Sequence, residues 1–507
     1  MVTSLPPLVM RTDASRAIGT GHVMRCLALA QAWQDAGGHC LFACAEITPS
    51  LACRLHAENV EFVRMNAEAG SVADAVECSR LARERGAEWI VTDGYQFVSD
   101  YQAALKKSGL HLLLIDDYGH ADPYDSADVV LNSNPCASAA LYERRGAGTR
   151  LLLGGRYVLL RREFSRWRDW ERIIAQGANK VLVTLGGADP RNVTSRVLRD
   201  LEPAGCECMA IVGGSNPHLQ ELESLAESLH RSRIAKDPGD ITELMAWADL
   251  AVSSAGVTSL ELAFMGLPTV LLTLAENQRL AAQALDESGV GIRLGVPEAL
   301  SADAIASTVR GLLDDHPRRL RMSQAGQSLV DGRGAERVVE ILAGPPLRLR
   351  RATEQDCRLL WEWANDPDTR ANSFSSELIP WDDHQRWFRA KLSDPACLLL
   401  IAADRHERSV GMVRFDIEGA HAVASVNLAS EARGLAYGTR LLKLAEREVF
   451  GLAPVTRLHA YIKPTNRISL RAFENAGYRR LDDTPVRGQL ALHLVLEKDG
   501  PQLASLD

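Results

Sequence analysis

A histidine follows a glycine turn near the start of the chain, where it could act on a bound ligand. An apolar segment ends at Arg11 and Asp13, and the turn 19–22 then opens an amphipathic segment with His22 at its start. Glycines let a turn approach a ligand closely, and the free N–H groups of the following helix attract anions. A neutral imidazole accepts a proton from water near pH 7, so His22 is a candidate general base that Asp13 would orient. The spacing equally allows His22 to cap local backbone.

A second set of candidate residues lies in the middle of the chain, at a strand end followed by a helix start. The segment SSAGVTSLELAF holds Ser254, Gly256, Thr258 and Glu261. Hydroxyls and bare amides at a helix start suit a pyrophosphate, and a carboxylate one turn later suits the hydroxyls of a ribose. A capping box, with Thr258 as the cap and Glu261 three residues later, explains the same spacing. The turn at Gly187 follows another apolar run and is expected to face the same ligand.

A third glycine-containing turn, from Arg433 to Thr439, lies between the apolar run ASVNLA and the amphipathic run RLLKLAEREVF. Successive backbone N–H groups in such a loop form a nest for a pyrophosphate, and the helix dipole adds to it. The loop alone is a weak signal. It gains weight from the later segment YIKPTNRISLRAFENAGY.

The elements that position these residues divide the chain into parts. Short apolar runs alternate with amphipathic stretches over residues 8–135, and the alternation restarts at KVLVTLGGAD. This alternation predicts two α/β halves, each with a parallel sheet that is covered on both faces. Ligands of such sheets bind beyond the carboxyl ends of the strands, so we expect a site in the cleft between the halves.

The last part of the chain has a different order of elements. Residues 344–346, Gly-Pro-Pro, break the helical pattern, and a strand, two helices and three consecutive apolar runs follow. Consecutive strands joined by short turns pair antiparallel. We therefore predict a Rossmann-like half at 1–170, a second half at 171–343, a linker at 344–346 and an α+β domain with a mixed, largely antiparallel sheet at 347–507.

The motifs of the first two parts resemble those of a known enzyme family. The runs RTDASRAIGTGHVMRCLALA, TDGYQF, IDDYG, LNSNP, LGGRYVLLRREF, LGGADPRN, SSAGVTSLELAFMG and ENQ occur in this order within residues 8–340. They are similar to motifs of the nucleotide-sugar hydrolases of pseudaminic acid biosynthesis, relatives of the glycosyltransferase B fold. The resemblance implies hydrolysis of UDP-2,4-diacetamido-2,4,6-trideoxy-β-L-altropyranose to UDP and free sugar, without a metal ion.

The same resemblance implies roles for individual residues. His22 would activate water, with Asp13 nearby, and Tyr95 and Asn277 would line the sugar pocket. Ser254, Gly256, Thr258 and Glu261 would hold the uridine diphosphate. The predicted substrate contacts are, in full, Arg11, Gly21, Tyr95, Gly187, Ser254, Gly256, Thr258, Glu261 and Asn277. Members of the family commonly have a carboxylate-histidine-tyrosine run where this chain has Asp93, Gly94 and Tyr95. This departure bears on which sugar is bound.

Residues 347–498 resemble the GNAT superfamily of N-acetyltransferases. The R-x-x-G-x-G/A pattern is met by Arg433, Ala436 and Gly438, with alanine in place of the first glycine. The resemblance implies acetyl-CoA as co-substrate, a pantetheine contact by Asn466 and acyl-binding strand amides around Asn427 and Leu428. The implied acetyl-CoA contacts are Asn427, Leu428, Arg433, Gly434, Ala436, Gly438, Thr439 and Asn466.

The acid and the base of acetyl transfer are left open. Phe473 stands where many members of the superfamily have a tyrosine that protonates the leaving thiolate. Tyr437, Tyr461 or water would serve instead, or the domain is catalytically impaired. The candidate bases are His384, Glu377 and Asp416.

Composition limits the classes of partner. A formal net charge of −8 and a pI near 6.0 argue against nucleic acid as a partner. The start of the chain has no basic n-region, and no apolar run reaches the length of a membrane span, so we expect no membrane partner and a cytoplasmic location. The ten cysteines have no C-x-x-C spacing, which indicates free thiols and no zinc site.

The fusion itself suggests one pathway. In pseudaminic acid synthesis, N-acetylation of the 4-amino UDP-sugar precedes removal of UDP, and linkage raises the effective concentration of one site near the other. We expect acetyl transfer in residues 347–498 and hydrolysis in residues 8–340. Three alternatives stay open: a UDP-sugar glycosyltransferase, an enzyme for a related sugar of a legionaminic or spore-coat type pathway, and a GNAT domain that senses acetyl-CoA or acetylates protein.

Overall fold

In the computed structural model of the chain, the described residues are 5–15, 18–301, 303–343, 347–404, 407–433, 437–452 and 454–498. The chain forms two compact units, Met1–Val339 and Glu340–Asp507. Among the helices in the described ranges, none has the length and apolar character needed to cross a bilayer.

The first unit begins with a seven-stranded parallel sheet. Its strands are β1 (Leu8–Thr12), β2 (Cys40–Cys44), β3 (Glu61–Arg64), β4 (Trp89–Asp93), β5 (His111–Ile115), β6 (Val129–Asn132) and β7 (Arg150–Leu153). Its helices are α1 (Gly21–Asp35), α2 (Pro49–Ala57), α3 (Val72–Glu84) and α4 (Ser99–Lys106). The strand order is β3-β2-β1-β4-β5-β6-β7. Because β1, β4 and β5 are neighbours, side chains at their carboxyl ends meet at one edge of the sheet.

A second parallel sheet of six strands repeats this order as β10-β9-β8-β11-β12-β13. Its strands are β8 (Lys180–Thr184), β9 (Glu207–Val212), β10 (Ser232–Lys236), β11 (Leu250–Ser254), β12 (Thr269–Leu272) and β13 (Gly291–Gly295). The helices of this half are α5 (Val193–Leu201), α6 (Leu219–Ser228), α7 (Thr242–Trp247), α8 (Val257–Phe264), α9 (Arg279–Glu287), α10 (Ala304–Asp314), α11 (His316–Leu329) and α12 (Gly334–Leu342).

The strands in the middle of both sheets are almost entirely buried. Every residue of β1, β2 and β11 is buried, as expected where helices cover both faces of a sheet. The hydrophobic runs that predicted these strands therefore form the cores of the two halves.

The second unit holds an eight-stranded mixed sheet. Its strands are β14 (Arg348–Arg351), β15 (Cys397–Ala403), β16 (Ser409–Glu418), β17 (His421–Leu428), β18 (Arg457–Ile462), β19 (Arg479–Arg480), β20 (Thr484–Val486) and β21 (Gln489–Glu497). Its helices are α13 (Cys357–Asn365), α14 (Pro367–Asn372), α15 (Trp381–Ser393), α16 (Tyr437–Leu452) and α17 (Arg467–Asn475). The described pairs are antiparallel except for β17 and β18.

The parallel pair β17–β18 is short. Only His421–Val423 pairs with Arg457–His459, although β17 continues to Leu428 and β18 to Ile462. The two strands therefore separate beyond the paired residues, and the backbone groups facing this gap are not used by the ladder.

The predicted fold class is confirmed: two parallel-sheet halves precede a mixed, largely antiparallel sheet. The boundary at residue 170 stays a prediction. The predicted linker, residues 344–346, lies outside the described residues.

Candidate active sites

His22 lies at the carboxyl edge of the first sheet, as the second residue of α1. Its Nδ1 is 2.6 Å from Oδ1 of Asp93, the last residue of β4. Burial alone would raise the pKa of Asp93, but Arg25 and His22 hold it below its usual value. An ionised carboxylate only accepts hydrogen bonds, so Nδ1 of His22 carries the hydrogen and Nε2 keeps a lone pair. An imidazole in this tautomer can take a proton from water.

Arg25, one turn after His22 on α1, joins two carboxylates beside the imidazole. Its Nε donates to Oδ2 of Asp93 at 2.6 Å, and its Nη1 donates to Oδ1 of Asp117 at 2.6 Å. Burial opposes ionisation of Asp117, but the charge of Arg25 keeps its pKa well below the usual value. Two carboxylates against one guanidinium leave a net negative charge beside the imidazole.

Tyr95 and Asn277, both predicted to line the sugar pocket, are in direct contact. Asn277 Nδ2 donates to the Tyr95 hydroxyl at 2.6 Å, and that hydroxyl donates to Oδ2 of Asp117 at 2.9 Å. The Tyr95 ring meets the His22 ring edge-on, with centroids 5.1 Å apart. Burial raises the pKa of Tyr95. The hydroxyl is therefore protonated near pH 7 and links the two halves of the first unit.

The prediction that Asp13 orients His22 is wrong, because Asp13 is engaged elsewhere. Its Oδ1 accepts from the backbone N–H groups of Ala45 at 2.6 Å and Glu46 at 3.1 Å, beyond β2. Its Oδ2 accepts from Gln96 and lies 2.8 Å from Arg11. In the sheet order, β2 and β4 lie on opposite sides of β1, and His22 turns towards β4.

The predicted substrate contact of Arg11 is also contradicted by the structure. The Arg11 side chain is fully buried, and its Nε and Nη2 donate to the Asp74 carboxylate at 2.9 and 3.0 Å. Its Nη1 donates to the carbonyl of Ala43. A side chain without solvent-accessible surface cannot contact a ligand, and this ion pair instead holds α3 against β1.

The diphosphate cradle predicted in the second half lies at the start of α8. Gly256 is the N-cap residue, and no side chain caps the helix. The capping-box alternative is therefore wrong: Thr258 lies inside the first turn, and Glu261 pairs with Arg161 at 3.0 Å. Ser254 is buried at the end of β11. The uncapped first turn leaves N–H groups and a positive dipole end for an anion.

Glycine turns of the two halves of the first unit approach each other. A Cβ built on Gly187 would lie 2.6 Å from Oγ1 of Thr20, closer than real Cβ atoms come. A Cβ built on Gly21 would lie 3.9 Å from Val257, at the start of α8. The carboxyl edges of both sheets thus face each other, with His22, Tyr95 and Asn277 together in this region.

A cavity of about 620 Å³ lies in the second unit, where β17 and β18 separate. This volume is within the usual range for ligand sites. The lining includes Asn427 from β17 and Tyr461 from β18, and it includes Asn466 and Phe473 from the segment that follows. Two residues predicted to contact acetyl-CoA, Asn427 and Asn466, are therefore brought to one cavity.

Apart from Asn427 and Asn466, the described residues predicted to bind acetyl-CoA do not line this cavity. Asn466 caps α17 by accepting from the Ser469 N–H at 3.1 Å. Arg433 Nη2 lies 2.7 Å from the Asp366 carboxylate. The remaining predicted contacts divide as follows: Gly438 and Thr439 lie in the first turn of α16, Leu428 ends β17, and Gly434 and Ala436 lie outside the described residues.

The three candidate bases differ in position. His384 lines the cavity, and its Nε2 donates to the carbonyl of Cys357 at 3.1 Å. Burial lowers the pKa of His384, so the imidazole is neutral near pH 7. Asp416 is held by Lys391 at 2.7 Å and Arg414 at 2.9 Å, and neither Asp416 nor Glu377 lines the cavity.

The candidate acids divide in the same way. Tyr461 lines the cavity, whereas Tyr437 is buried in the core at the start of α16. Phe473 lines the cavity and packs its ring edge-on against Tyr478, with centroids 4.9 Å apart. Tyr461 is therefore the phenol that the cavity offers.

Sequence reasoning missed Asp93, Arg25 and Asp117 as members of the first site. The signal was present, because TDGY and IDDYG place carboxylates at the ends of β4 and β5, the two strands that follow β1 in the sheet order. Arg25 lies three residues after His22, which is the spacing of neighbours on one helix face.

Two family models match the chain. The acetyltransferase (GNAT) domain matches residues 346–479, and the glycosyltransferase family 28 C-terminal domain matches residues 182–337.

Three relatives cover different parts of the chain. The spore coat polysaccharide biosynthesis protein SpsG of Bacillus subtilis is 26% identical over 198 residues, which span 38% of this chain and 58% of that protein. An uncharacterized protein of Methanocaldococcus jannaschii is 21% identical over 92% of this chain and 96% of its own length. The UDP-2,4-diacetamido-2,4,6-trideoxy-beta-L-altropyranose hydrolase of Campylobacter jejuni is 25% identical over 56% of this chain and 97% of its own length.

The chain therefore carries a glycosyltransferase family 28 C-terminal domain and, after it, a GNAT acetyltransferase domain. It is a homologue of the Campylobacter UDP-sugar hydrolase. The archaeal relative aligns along both units, so the two-part arrangement occurs in more than one protein. Together these findings support a bifunctional nucleotide-sugar enzyme.

Proposed function

We propose that the first unit hydrolyses UDP-2,4-diacetamido-2,4,6-trideoxy-β-L-altropyranose and that the second unit N-acetylates its 4-amino precursor with acetyl-CoA. The observation that carries the hydrolase assignment is the 2.6 Å contact between His22 Nδ1 and Asp93. It orients a base at the edge where Tyr95 and Asn277 meet. The hydrolase relative supports the choice of substrate.

In the proposed hydrolysis, water attacks the anomeric carbon while Nε2 of His22 takes its proton. The bond from that carbon to the diphosphate oxygen breaks, and UDP leaves with the electron pair. The Asp93 carboxylate stabilises the imidazolium that forms. The uncapped start of α8 and the turn at Gly187 stabilise the charge on the departing diphosphate. The proposed step uses only groups of the protein, and we propose that it proceeds without a metal ion.

In the proposed acetyl transfer, His384 takes a proton from the acceptor amine, whose nitrogen attacks the thioester carbonyl. The carbon–sulfur bond breaks, and Tyr461 protonates the leaving thiolate in place of the tyrosine replaced by Phe473. The position of His384 and Tyr461 on one cavity supports these roles. The hydrogen bond from Nε2 of His384 to the Cys357 carbonyl leaves Nδ1 as the basic nitrogen.

The two reactions follow each other in one sequence. The acetyl group added to the 4-amino sugar completes the diacetamido sugar that the first unit hydrolyses. Covalent linkage raises the concentration of this intermediate near the next site.

The test is to incubate the full chain with the 4-amino UDP-sugar and acetyl-CoA, and to follow free thiol, UDP and sugar mass. We expect wild type to release thiol and then UDP. His22→Asn should acetylate but retain the UDP-sugar, and His384→Gln should hydrolyse supplied diacetamido UDP-sugar without releasing thiol. UDP release by His22→Asn at the wild-type rate would remove the base assignment. Absence of both products in wild type would remove the substrate assignment.

A second candidate for the first unit is a UDP-sugar glycosyltransferase, which the glycosyltransferase family 28 match at 182–337 favours. It would use the same diphosphate cradle and pass the sugar to an acceptor hydroxyl. The two candidates differ in plain buffer, because a hydrolase releases free reducing sugar and a transferase does not. A panel of UDP-diamino sugars separates the altropyranose from a related sugar.

A further inference from the structure

The cavity of the second unit has an unbalanced charge. Four cationic side chains contribute to its lining, Arg370, Arg414, Lys463 and Arg487, against the single carboxylate of Asp383. Arg414 has a carboxylate partner in Asp416 at 2.9 Å, and Asp383 is itself paired with Arg386. Three cations therefore remain, and the structure gives none of them a carboxylate partner among the described residues.

Arg370 is the most informative of the three. Its Nη1 donates to the carbonyls of Ser375 at 3.2 Å and Glu377 at 3.3 Å, and its Nη2 donates to the Ser373 hydroxyl at 3.1 Å. Its Nε is buried and has no hydrogen-bond partner among the described residues. All these acceptors are neutral, and burial lowers the pKa of Arg370. A half-buried guanidinium without a counter-charge is costly, and an anionic ligand removes that cost.

The other two cations approach the cavity from different elements. Lys463 follows β18, and its Nζ donates to the carbonyl of Ala371 at 3.1 Å. Arg487 lies in the turn between β20 and β21 and is exposed. Side chains from α14, from the residue after β18 and from the β20–β21 turn thus bring positive charge to one cavity. Positive charges in such a cavity repel a polyamine, which is itself positive, and attract a phosphate.

We propose that the acetyltransferase cavity selects an amine acceptor that carries a phosphate or diphosphate group, and that Arg370, Lys463 and Arg487 bind this group. The inference rests on the proposed function, because it takes the cavity to be the acceptor site. It adds the residues that recognise the anion, and it holds for any phosphorylated amine. Guanidinium groups suit this role, since they bind phosphate oxygens with paired, charge-assisted hydrogen bonds.

Coenzyme A also carries phosphates, so the source of the anion must be distinguished. If the three cations bind the acceptor, their loss raises the KM for the acceptor and leaves the KM for acetyl-CoA unchanged. If they bind the phosphates of coenzyme A, the reverse holds.

The experiment measures thiol release by the full chain with His22→Asn, which keeps the nucleotide on the acceptor. Three matched acceptors are compared: the 4-amino UDP-sugar, its sugar 1-phosphate and the free 4-amino sugar. Spermidine and the UDP-linked, 1-phosphate and free forms of glucosamine extend the panel. We expect kcat/KM to fall in the order UDP-sugar, sugar phosphate, free sugar, and spermidine to be the poorest acceptor.

Substitution then tests the residues. Arg487→Gln and Lys463→Gln should each raise the KM for the UDP-linked acceptor about tenfold or more, with little effect on the free sugar. Arg479→Gln is the matched control, because Arg479 is exposed on β19 and does not line the cavity. Arg370→Gln is compared by thermal melting, since its carbonyl contacts also hold the 373–377 segment. Within the described part of the chain Arg487 makes no such contact, so its substitution keeps the test independent of folding.

The outcomes separate this inference from the proposed function. Acetylation of phosphorylated glucosamine but not of the 4-amino UDP-sugar would remove the proposed sugar and support the charge selection. Preference for the free sugar or spermidine would overturn the inference, whichever sugar is the natural acceptor. An increase confined to the KM for acetyl-CoA would overturn it as well.

Discussion

Nδ1 of His22 lies 2.6 Å from Oδ1 of Asp93, a fully buried carboxylate at the end of the neighbouring strand β4. This contact fixes which imidazole nitrogen carries the hydrogen and therefore which nitrogen is basic. Arg25 donates to both oxygens of the same carboxylate and so fixes its position. The orientation of the imidazole therefore depends on Arg25 as well as on Asp93.

Replacing Asp93 by Asn should impair hydrolysis more than folding. The amide keeps the size of the carboxylate but offers an N–H to His22, which favours the opposite tautomer and leaves the imidazolium unsupported. We expect kcat for UDP release to fall by about 10²–10⁴-fold. Thiol release by the same variant is the internal control and should stay at the wild-type rate. Equal UDP release by variant and wild type would show that the contact is not used in the reaction.

The strands around this site could be predicted from the sequence because both parallel sheets are covered by helices. β1, β2, β4 and β5 appear as apolar runs in the sequence, and such runs can be recognised without knowing which strands pair. Asp13, Asp93 and Asp117 all follow apolar runs, so the sequence could not decide which of them contacts His22. That choice depends on the order β2-β1-β4 in the sheet, which is a property of tertiary structure.

Two further features of the sites depend on contacts between residues that are distant in the sequence. Arg11 has the residue type and position of a ligand contact. Its guanidinium is instead buried in the core, where it donates to Asp74, 63 residues later in the chain. The glycine turn predicted from Arg433 to Thr439 includes residues 434–436, which lie outside the described residues. The separation of β17 from β18, which opens the cavity, could not be predicted from the sequence, because register is set by pairs distant in sequence.

Tyr95→Phe should separate binding from chemistry in the first unit. The substitution removes only the hydroxyl that joins Asp117 to Asn277, and it keeps the ring packed against His22. Asn277 loses the hydroxyl that holds it at the proposed sugar pocket, so we expect the KM for the UDP-sugar to rise by about tenfold and kcat to change less. Steady-state kinetics of UDP release measures both. A fall in kcat with unchanged KM would instead assign the hydroxyl to the chemical step.

Gly187→Ala should weaken the contact between the two halves of the first unit. The new Cβ would lie 2.6 Å from Oγ1 of Thr20, and relief of this overlap is expected to cost about 1–3 kcal/mol. Gly177→Ala is the matched control, because nothing lies within 4 Å of its added Cβ. Adding Thr20→Ala removes the colliding atom and should restore stability and UDP release. Urea unfolding of the four proteins tests this, and failure of the second substitution to restore stability would contradict the assigned contact.

His384→Gln should change the pH dependence of acetyl transfer. Burial lowers the pKa of His384, so the neutral, basic form predominates above an unusually low pH. In wild type, the rate of thiol release should rise with pH through that pKa and then level off. In the variant this rise should disappear, with kcat lower by about 10²–10⁴-fold. An unchanged acidic limb in the variant would assign the titration to another group.

Glu446 should make the stability of the second unit depend on pH. Its side chain is buried in α16, and burial raises its pKa from 4.5 to about 8. Between these values the folded state keeps a proton that the unfolded chain has lost, so raising the pH favours unfolding. The free energy of unfolding of wild type should therefore fall as pH rises from 5 to 8, by up to about 3 kcal/mol relative to Glu446→Gln.

The measurement is urea unfolding of both proteins across this pH range. Glu448→Gln is the matched control, because Glu448 is exposed on the same helix and should leave the pH dependence of wild type unchanged. Profiles of wild type and Glu446→Gln that run parallel from pH 5 to 8 would contradict the raised pKa. They would mean that the carboxylate is ionised in the folded state, and a positive group or water would then have to accompany it in the core.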